Sequence, residues 1–155
     1  MIKDINNLRQ ILLNRPSVPV VATSGGFDPL HAGHVRCLRA SALLKRGGYL
    51  VVIVNSDPFL LRKKGYVFMP LAERMEIIDA ISGVDYVISW DDGGQYVTGA
   101  LEMLRPTIFA KGGDRSSPEV VPEFQLCQKI GCQVKFGVGG TDKVQSSSEL
   151  VKKVT

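Results

Sequence analysis

The chain has 155 residues, 45% apolar and 22% charged, with a formal net charge of +4, which suits one globular domain large enough to bury its own core. The positive excess is mild and scattered, without a lysine and arginine block or interleaved aromatics, so it argues against nucleic acid and suits a small anionic substrate. No apolar run is long enough to cross a bilayer, and the opening MIKDINNLRQILLNR carries acids and amides where a signal peptide is apolar, so a cytoplasmic protein without a membrane partner is expected.

In chain order, Ile5, Leu8, Ile11 and Leu12 stand at helical spacing and predict a short amphipathic helix over 4–14, within an N-terminal extension at 1–16. An apolar run at 18–22 predicts a buried strand, followed by Ser24, Gly25 and Gly26 and then a helix over 31–45 with Val35, Leu38, Ala42 and Leu43 on its core face. Arg46-Gly47-Gly48 stops that helix. Six apolar residues at 49–54 read as a strand covered on both faces. A segment at 59–69 follows without an assigned element, with Arg62, Lys63 and Lys64 before Gly65. Beyond it come a helix at 70–81 with Leu71, Met75, Ile78 and Ile81 inward, and a strand at 85–89. The rest reads as a helix at 96–104, a strand at 107–110, a helix at 120–130, a strand at 133–136 and a helix at 146–153.

Strands and helices alternate throughout, with no internal repeat or linker, so the expected fold is a single α/β domain over 1–155, a Rossmann-like doubly wound parallel sheet of about five strands flanked by helices. In such sheets ligands bind at the carboxyl ends of the strands. The polar and glycine-rich segments 24–34, 55–65, 90–95, 111–115 and 137–148 each follow a strand, which predicts a single cleft on one edge.

The string SGGFDPLHAGH carries the most chemistry. A strand feeding through glycines into a helix presents free N–H groups and the positive end of a helix dipole to an anion. Gly25, Gly26 and Gly33 allow backbone close to a ligand, and His31 and His34, three apart, share a helix face. Cys37 lies three residues further on, but positions 31, 34 and 37 drift by about 60° per step, so the outer two splay too far for one tetrahedral zinc. Cys37, Cys127 and Cys132 form no CxxC pair and are expected to be small buried apolar residues. No nucleophile–base pair is evident and the first turn lacks GxGxxG, which disfavours a dinucleotide oxidoreductase.

GGFDPLHAGH resembles the signature of the nucleotidyltransferases that carry an HxGH motif. Further likeness at Val54-Asn55-Ser56-Asp57, Lys64-Gly65, Glu73-Arg74-Met75 and Lys111-Gly112-Gly113-Asp114 is similar to the heptose-phosphate adenylyltransferase domain and to glycerol-3-phosphate cytidylyltransferase. The resemblance implies transfer of AMP, or CMP, from ATP or CTP to a sugar or polyol phosphate, with release of pyrophosphate and with Mg²⁺ required. It implies catalytic roles for His31, His34 and Lys64, and substrate contacts from Gly25, Gly26, Phe27, Asp28, Gly33 and Arg74. Lys111, Gly113 and Asp114 are implied beside the nucleoside, and Ser147 and Ser148 beside phosphate. No residue is assigned as a metal ligand. The last motif, GTDKVQSSS, lacks the arginine of the cytidylyltransferase, and an ammonium does not reproduce a guanidinium's two-pronged contact; with the KGGD match this favours ATP. Ser146 and Glu149 also fit a capping box, Asp28 a turn-stabilising carboxylate, and Arg74 a surface ion pair with Glu73 or Asp79. The alternatives are a phosphopantetheine or nicotinamide mononucleotide adenylyltransferase, or a nucleotide-binding module without turnover. A homodimer is expected from the relatives, with the exposed apolar residues of the first helix as its interface, and a sugar kinase would be a separate protein.

Overall fold

The computed structural model describes residues 1–113, 123–140 and 145–155. Among these a five-stranded parallel sheet, ordered β3-β2-β1-β4-β5, comprises β1 (Val20–Gly25), β2 (Tyr49–Asn55), β3 (Tyr86–Trp90), β4 (Ile108–Gly112) and β5 (Gln133–Val138). The helices are α1 (Ile5–Leu13), α2 (Ala32–Leu43), α3 (Asp57–Lys64), α4 (Leu71–Asp79), α5 (Thr98–Leu104), α6 (Phe124–Ile130) and α7 (Ser147–Lys152).

Side chains alternate across the strands, so one run feeds two cores. Val20, Ala22, Val51, Ile53, Ile88 and Phe109 face the layer that holds Leu8, Leu101 and Cys127. Val21, Leu50, Val52, Val54, Val87 and Ala110 face the layer that holds Leu38, Met75 and Ile78. The doubly wound expectation therefore holds, with α1, α5 and α6 over one face and α2 and α4 over the other. At the outer edge Ile2 bridges to Val87, Lys3 N–H donates to Val87 O at 2.9 Å and Val87 N–H to Met1 O at 3.0 Å, which covers backbone that an edge strand leaves open.

Two local expectations change. The unassigned stretch after β2 is helical as α3: Ser56 caps it, Pro58 sits in its first turn, and Gly65 at φ 87 closes it. Leu43 is 83% exposed, because Leu44, about 100° further round the helix, takes the inward position. In α1, Leu8 is buried and Ile5 and Leu12 pack against the same core, as the helical spacing predicts, while Leu13 stays 58% exposed. The helix expected from 120 begins at Phe124 among the described residues, and residues 120–122 lie outside them.

β1 pairs with β2 over six residues, from Val20–Tyr49 to Gly25–Val54, but with β4 only at Val21–Ile108 and Ala22–Phe109. One further tie, Thr23 Oγ1 donating to Ala110 O at 2.9 Å, holds β1 to β4. The chain winds outward in opposite directions from these two strands, so a crevice opens at their carboxyl ends.

Candidate active site

The turn after β1 approaches α3 closely. A Cβ at Gly26 would lie 2.8 Å from Leu60 Cδ2, and Lys64 Nζ is 3.8 Å from the same point. A Cβ there would push the buried Leu60 side chain aside, and the last residue of α3 delivers its ammonium beside the turn. Phe27 follows in the left-handed region at φ 53, a strain of about 1–3 kcal/mol for an L residue. Its buried ring meets the His34 ring edge-on, with centroids 5.0 Å apart at 66°.

His31 caps α2. Its Nδ1 accepts from Gly33 N–H at 3.1 Å, and His34 Nδ1 accepts in return from His31 N–H at 3.2 Å. The imidazoles stack with centroids 3.7 Å apart at 21°. Because both Nδ1 atoms accept, each neutral ring carries its proton on Nε2 and offers that N–H to a ligand. Burial, followed by the charge of Lys64, lowers the pKa of His31. Burial, then His31, then Lys64, lowers that of His34 to about 3. Two neutral donors thus stand at a helix start where ligand negative charge would raise their proton affinity. Burial also lowers the Lys64 ammonium, against which Asp28 acts and to which Arg74 adds.

A cavity of about 610 Å³ opens over this pair, within the roughly 300–1,000 Å³ of small-molecule sites. Of the residues predicted from sequence, Gly25, Gly26, Phe27, His31, Gly33 and His34 line it from the β1–α2 turn, and Lys64 lines it from α3. Lys111, 8% exposed on β4 with its ammonium 5.1 Å from the Phe109 ring centroid, lines the opposite side with Gly113. Ser147 and Ser148 reach it from the start of α7. Ser147 Oγ donates to Pro29 O at 2.8 Å, and Tyr66 OH to Ser148 Oγ at 3.3 Å, so both hydroxyls are already positioned. Ser146 Oγ accepts from Glu149 N–H at 3.5 Å, which is half of the expected capping box. Asp114 lies outside the described residues.

Asp28 and Arg74 do not line the cavity, which corrects the expectation that they touch substrate. Asp28 is fully buried, and its carboxylate oxygens accept from Phe68 N–H at 2.7 Å and Met69 N–H at 2.6 Å; the turn-stabilising reading is the one realised. Arg74 is 1% exposed. Its Nε donates to Met69 O at 2.9 Å, one terminal nitrogen donates to Gly26 O at 2.8 Å and Asn55 O at 2.7 Å, and the other pairs with Asp57 Oδ1 at 2.6 Å. It fastens the ends of β1 and β2 from behind, and its ion pair is with neither Glu73 nor Asp79. Arg62 is likewise occupied, paired with Asp91 and donating to Gly94 O at 3.0 Å.

Sequence reasoning missed Cys37, Val97 and Glu123 in the cavity wall, while Asn55, Gln95 and Gly139 lie there in segments expected at the cleft but were given no role. Cys37 is half-buried rather than a core residue. Gly139, at φ 88, carries the only available signal: a Cβ there would lie 2.8 Å from Cys37 N, so the loop after β5 rests on α2. Among the described residues no group of three or more His, Cys, Asp or Glu converges as a metal site, and no helix is long and apolar enough to cross a membrane.

Comparison with known proteins fits this geometry. The chain is 42% identical to the bifunctional protein HldE of Streptomyces coelicolor over 74% of its length, and 32% identical to that of Pseudomonas putida over 87%. It spans only about a quarter of these relatives, 24% and 28% of their lengths. A crystal structure of the lipopolysaccharide core biosynthesis protein from Thermoplasma volcanium superposes with a TM-score of 0.62 at 27% identity, covering 83% of this chain and 100% of that one. The cytidylyltransferase-like family matches residues 22–153, from the middle of β1 through α7. With the paired histidines at the start of α2 and the cleft at the β1–β4 switch point, the chain belongs to the cytidylyltransferase-like family.

Proposed function

We propose that this chain transfers AMP from ATP to a sugar or polyol phosphate and releases pyrophosphate. An oxygen of the acceptor phosphate forms a bond to the α-phosphorus as the bond from that phosphorus to the pyrophosphate oxygen breaks in line. The nucleophile is already anionic near neutral pH, so catalysis consists of alignment and stabilisation of charge. The observation that carries this reading is the stacked histidine pair, whose Nδ1 atoms are both engaged by backbone N–H and whose Nε2–H groups remain as donors. In this reading His31 and His34 follow charge at the α-phosphate, Lys64 neutralises charge beside the Gly26 turn, Lys111 and Gly113 flank the nucleoside, and Ser147 and Ser148 contact phosphate. Asp114 belongs to the nucleoside contacts in the same proposal.

Mg²⁺ enters as the MgATP substrate. The described protein residues supply no ligand cluster of their own, and a hard cation of this kind is commonly held by substrate phosphates with only one or two carboxylates. ATP is favoured over CTP by the KGGD segment and by the curated relatives' likeness to this chain. A cytoplasmic homodimer completes the proposal. Its interface excludes the inward residues of α1, and sedimentation velocity reads the assembly directly.

The test is pyrophosphate release from MgATP with a panel of sugar and polyol phosphates. His34→Ala is expected to lower turnover about 100- to 10,000-fold while the fold survives. Normal turnover in that variant sinks the assignment, and affinity for MgATP without product from any acceptor in the wild type indicates a binding module.

A further inference from the structure

The basic run at the end of α3 divides its work. Lys63 and Lys64 line the cavity, whereas Arg62 does not. Its guanidinium reaches instead to the turn between β3 and α5. One terminal nitrogen pairs with Asp91 Oδ1 and also donates to Gly94 O at 3.0 Å, and the other donates to Asp91 Oδ2 at 3.5 Å. A two-pronged contact of this kind fixes direction as well as distance. The two side chains are 34% and 23% exposed, so the pair is better shielded than an open surface pair. The guanidinium carbon also lies 5.8 Å from the ring centroid of Phe59, a buried residue one helical turn back, which supports the arginine from below.

Residues 91–96 are all exposed, so little apolar burial orders their backbone. Bonds inside the turn give it shape: Asp91 Oδ1 accepts from Gly93 N–H at 3.0 Å, and Asp92 Oδ1 from Gly94 N–H at 2.9 Å. Such contacts bend the chain locally, but they do not place the bend against the rest of the molecule. Arg62 does so, by taking the carboxylate that opens the turn and the Gly94 carbonyl beyond it. The guanidinium, then the Gly93 N–H, hold the Asp91 carboxyl down at about 2, so both partners are charged throughout the neutral range. The next two residues, Gln95 and Tyr96, line the cavity, and Tyr96 is 47% exposed, which sets it at the rim.

We infer that Arg62 and Asp91 are positioning residues, whose clasp holds the β3–α5 turn against α3 and so fixes Gln95 and Tyr96 in the cavity wall alongside Lys63 and Lys64. Neither partner of the clasp lines the cavity, so both act through the residues they hold. The backbone entropy of ordering the turn is then met during folding rather than at binding. The consequence for turnover rests on the transferase reading above, whereas the clasp itself does not.

Trp90 is the chain's single tryptophan and adjoins Asp91. Its indole packs at the start of α5, where a Cβ on Gly99 would lie 2.4 Å from Trp90 Cζ2. Acrylamide quenching of its fluorescence therefore reads the turn without any substrate. Wild type, Arg62→Ala, Asp91→Ala and the double variant are compared, with Tm expected to stay within about 3 °C. The quenching constant should rise at least about twofold in each single variant and no further in the double. Pyrophosphate release at saturating MgATP, with the acceptor that the wild type turns over fastest, gives the second reading. There kcat/KM should fall about tenfold in both single variants and no further in the double. The loss should lie in KM, with kcat within about threefold, because His31, His34 and Lys64 are untouched. A role for Arg62 as a bare positive charge predicts the opposite pattern, since removing Arg62 would weaken the handling of an anion and removing Asp91 would strengthen it. Changes of opposite sign therefore overturn the inference, as does unchanged quenching in both folded single variants, or a double variant that loses the product of the two single losses. Wild-type protein that transfers to no acceptor removes the proposed function, and the quenching series then decides the clasp by itself.

Discussion

Replacing Arg74 by Ala separates a residue that holds the site from one that touches substrate. Its guanidinium donates to the carbonyls of Met69, Gly26 and Asn55 at 2.7–2.9 Å and pairs with Asp57 at 2.6 Å, with the side chain out of solvent. The Asp57 side chain is 40% exposed, so its ion pair is screened and adds little. The three carbonyls dominate: stripping their donors at about 1 kcal/mol or more each, with a cavity left behind, gives a loss of roughly 3–5 kcal/mol. In a chain of this size that is a fall in Tm of about 6–20 °C. Gly26 loses its anchor beside the histidine pair, so kcat should fall more than KM for MgATP rises. Arg74→Lys should recover only part of both, because one ammonium cannot span three carbonyls and a carboxylate. Thermal unfolding and pyrophosphate release read the two effects. A variant with Tm unchanged within about 2 °C and MgATP affinity reduced tenfold would refute the reasoning, since that is how a directly bound ligand residue behaves.

Three further outcomes follow from the same geometry. His34 is held down at about 3 against an ordinary 6.5, so its neutral form contributes stability that is complete above pH 6.5 and is lost as pH falls toward 3; urea unfolding of the wild type should lose up to roughly 4 kcal/mol more over that window than His34→Gln, and parallel curves would count against the shift. Asp28→Asn leaves one acceptor for the two N–H groups of Phe68 and Met69, so it should cost about 1–3 kcal/mol and speed amide exchange at those two residues, whereas exchange spread evenly over α4 would point elsewhere. Gly139→Ala must adopt φ 88 and place its Cβ 2.8 Å from Cys37 N, which should cost about 1–3 kcal/mol and weaken MgATP binding; an unperturbed Tm would show that the loop does not rest on α2.

The sheet was legible because its strands are apolar on both faces, and a run such as Val51–Val54 has only one compatible environment. The histidine pair was legible because capping and glycine spacing are local, fixed within four residues. α3 was within reach, since Ser56, Pro58 and Gly65 are ordinary start and stop residues, but the basic run before Gly65 also suits a solvated loop. Asp28 and Arg74 were placed on the wrong side of the wall for a different reason. Their types suit phosphate chemistry, and only tertiary contacts turn them away from the cleft: the Phe68 and Met69 N–H groups hold Asp28, and the packing of α4 behind the β1 and β2 ends holds Arg74. Glu123 carried no local signal: its part in the cavity depends on α5 and α6 meeting, a contact between distant stretches of chain.

The capping arrangement of α2 ties folding to chemistry in one set of hydrogen bonds. The Gly33 and His31 N–H groups are donors that any helix start must satisfy, and here two imidazoles satisfy them. The same contacts fix each ring's tautomer, so the donor presented to the cavity is set by the fold before any ligand arrives. Burial keeps both rings neutral when the site is empty, and the charge of Lys64 adds to it. A triphosphate beside Lys64 offsets that positive charge and raises the proton affinity of both imidazoles, most strongly as negative charge gathers on the departing oxygen. Substituting Lys64 by Met should therefore raise the pKa of both histidines in the empty protein, a shift that histidine NMR titration measures directly. A role for Lys64 confined to holding phosphate would leave the empty-state titrations unmoved.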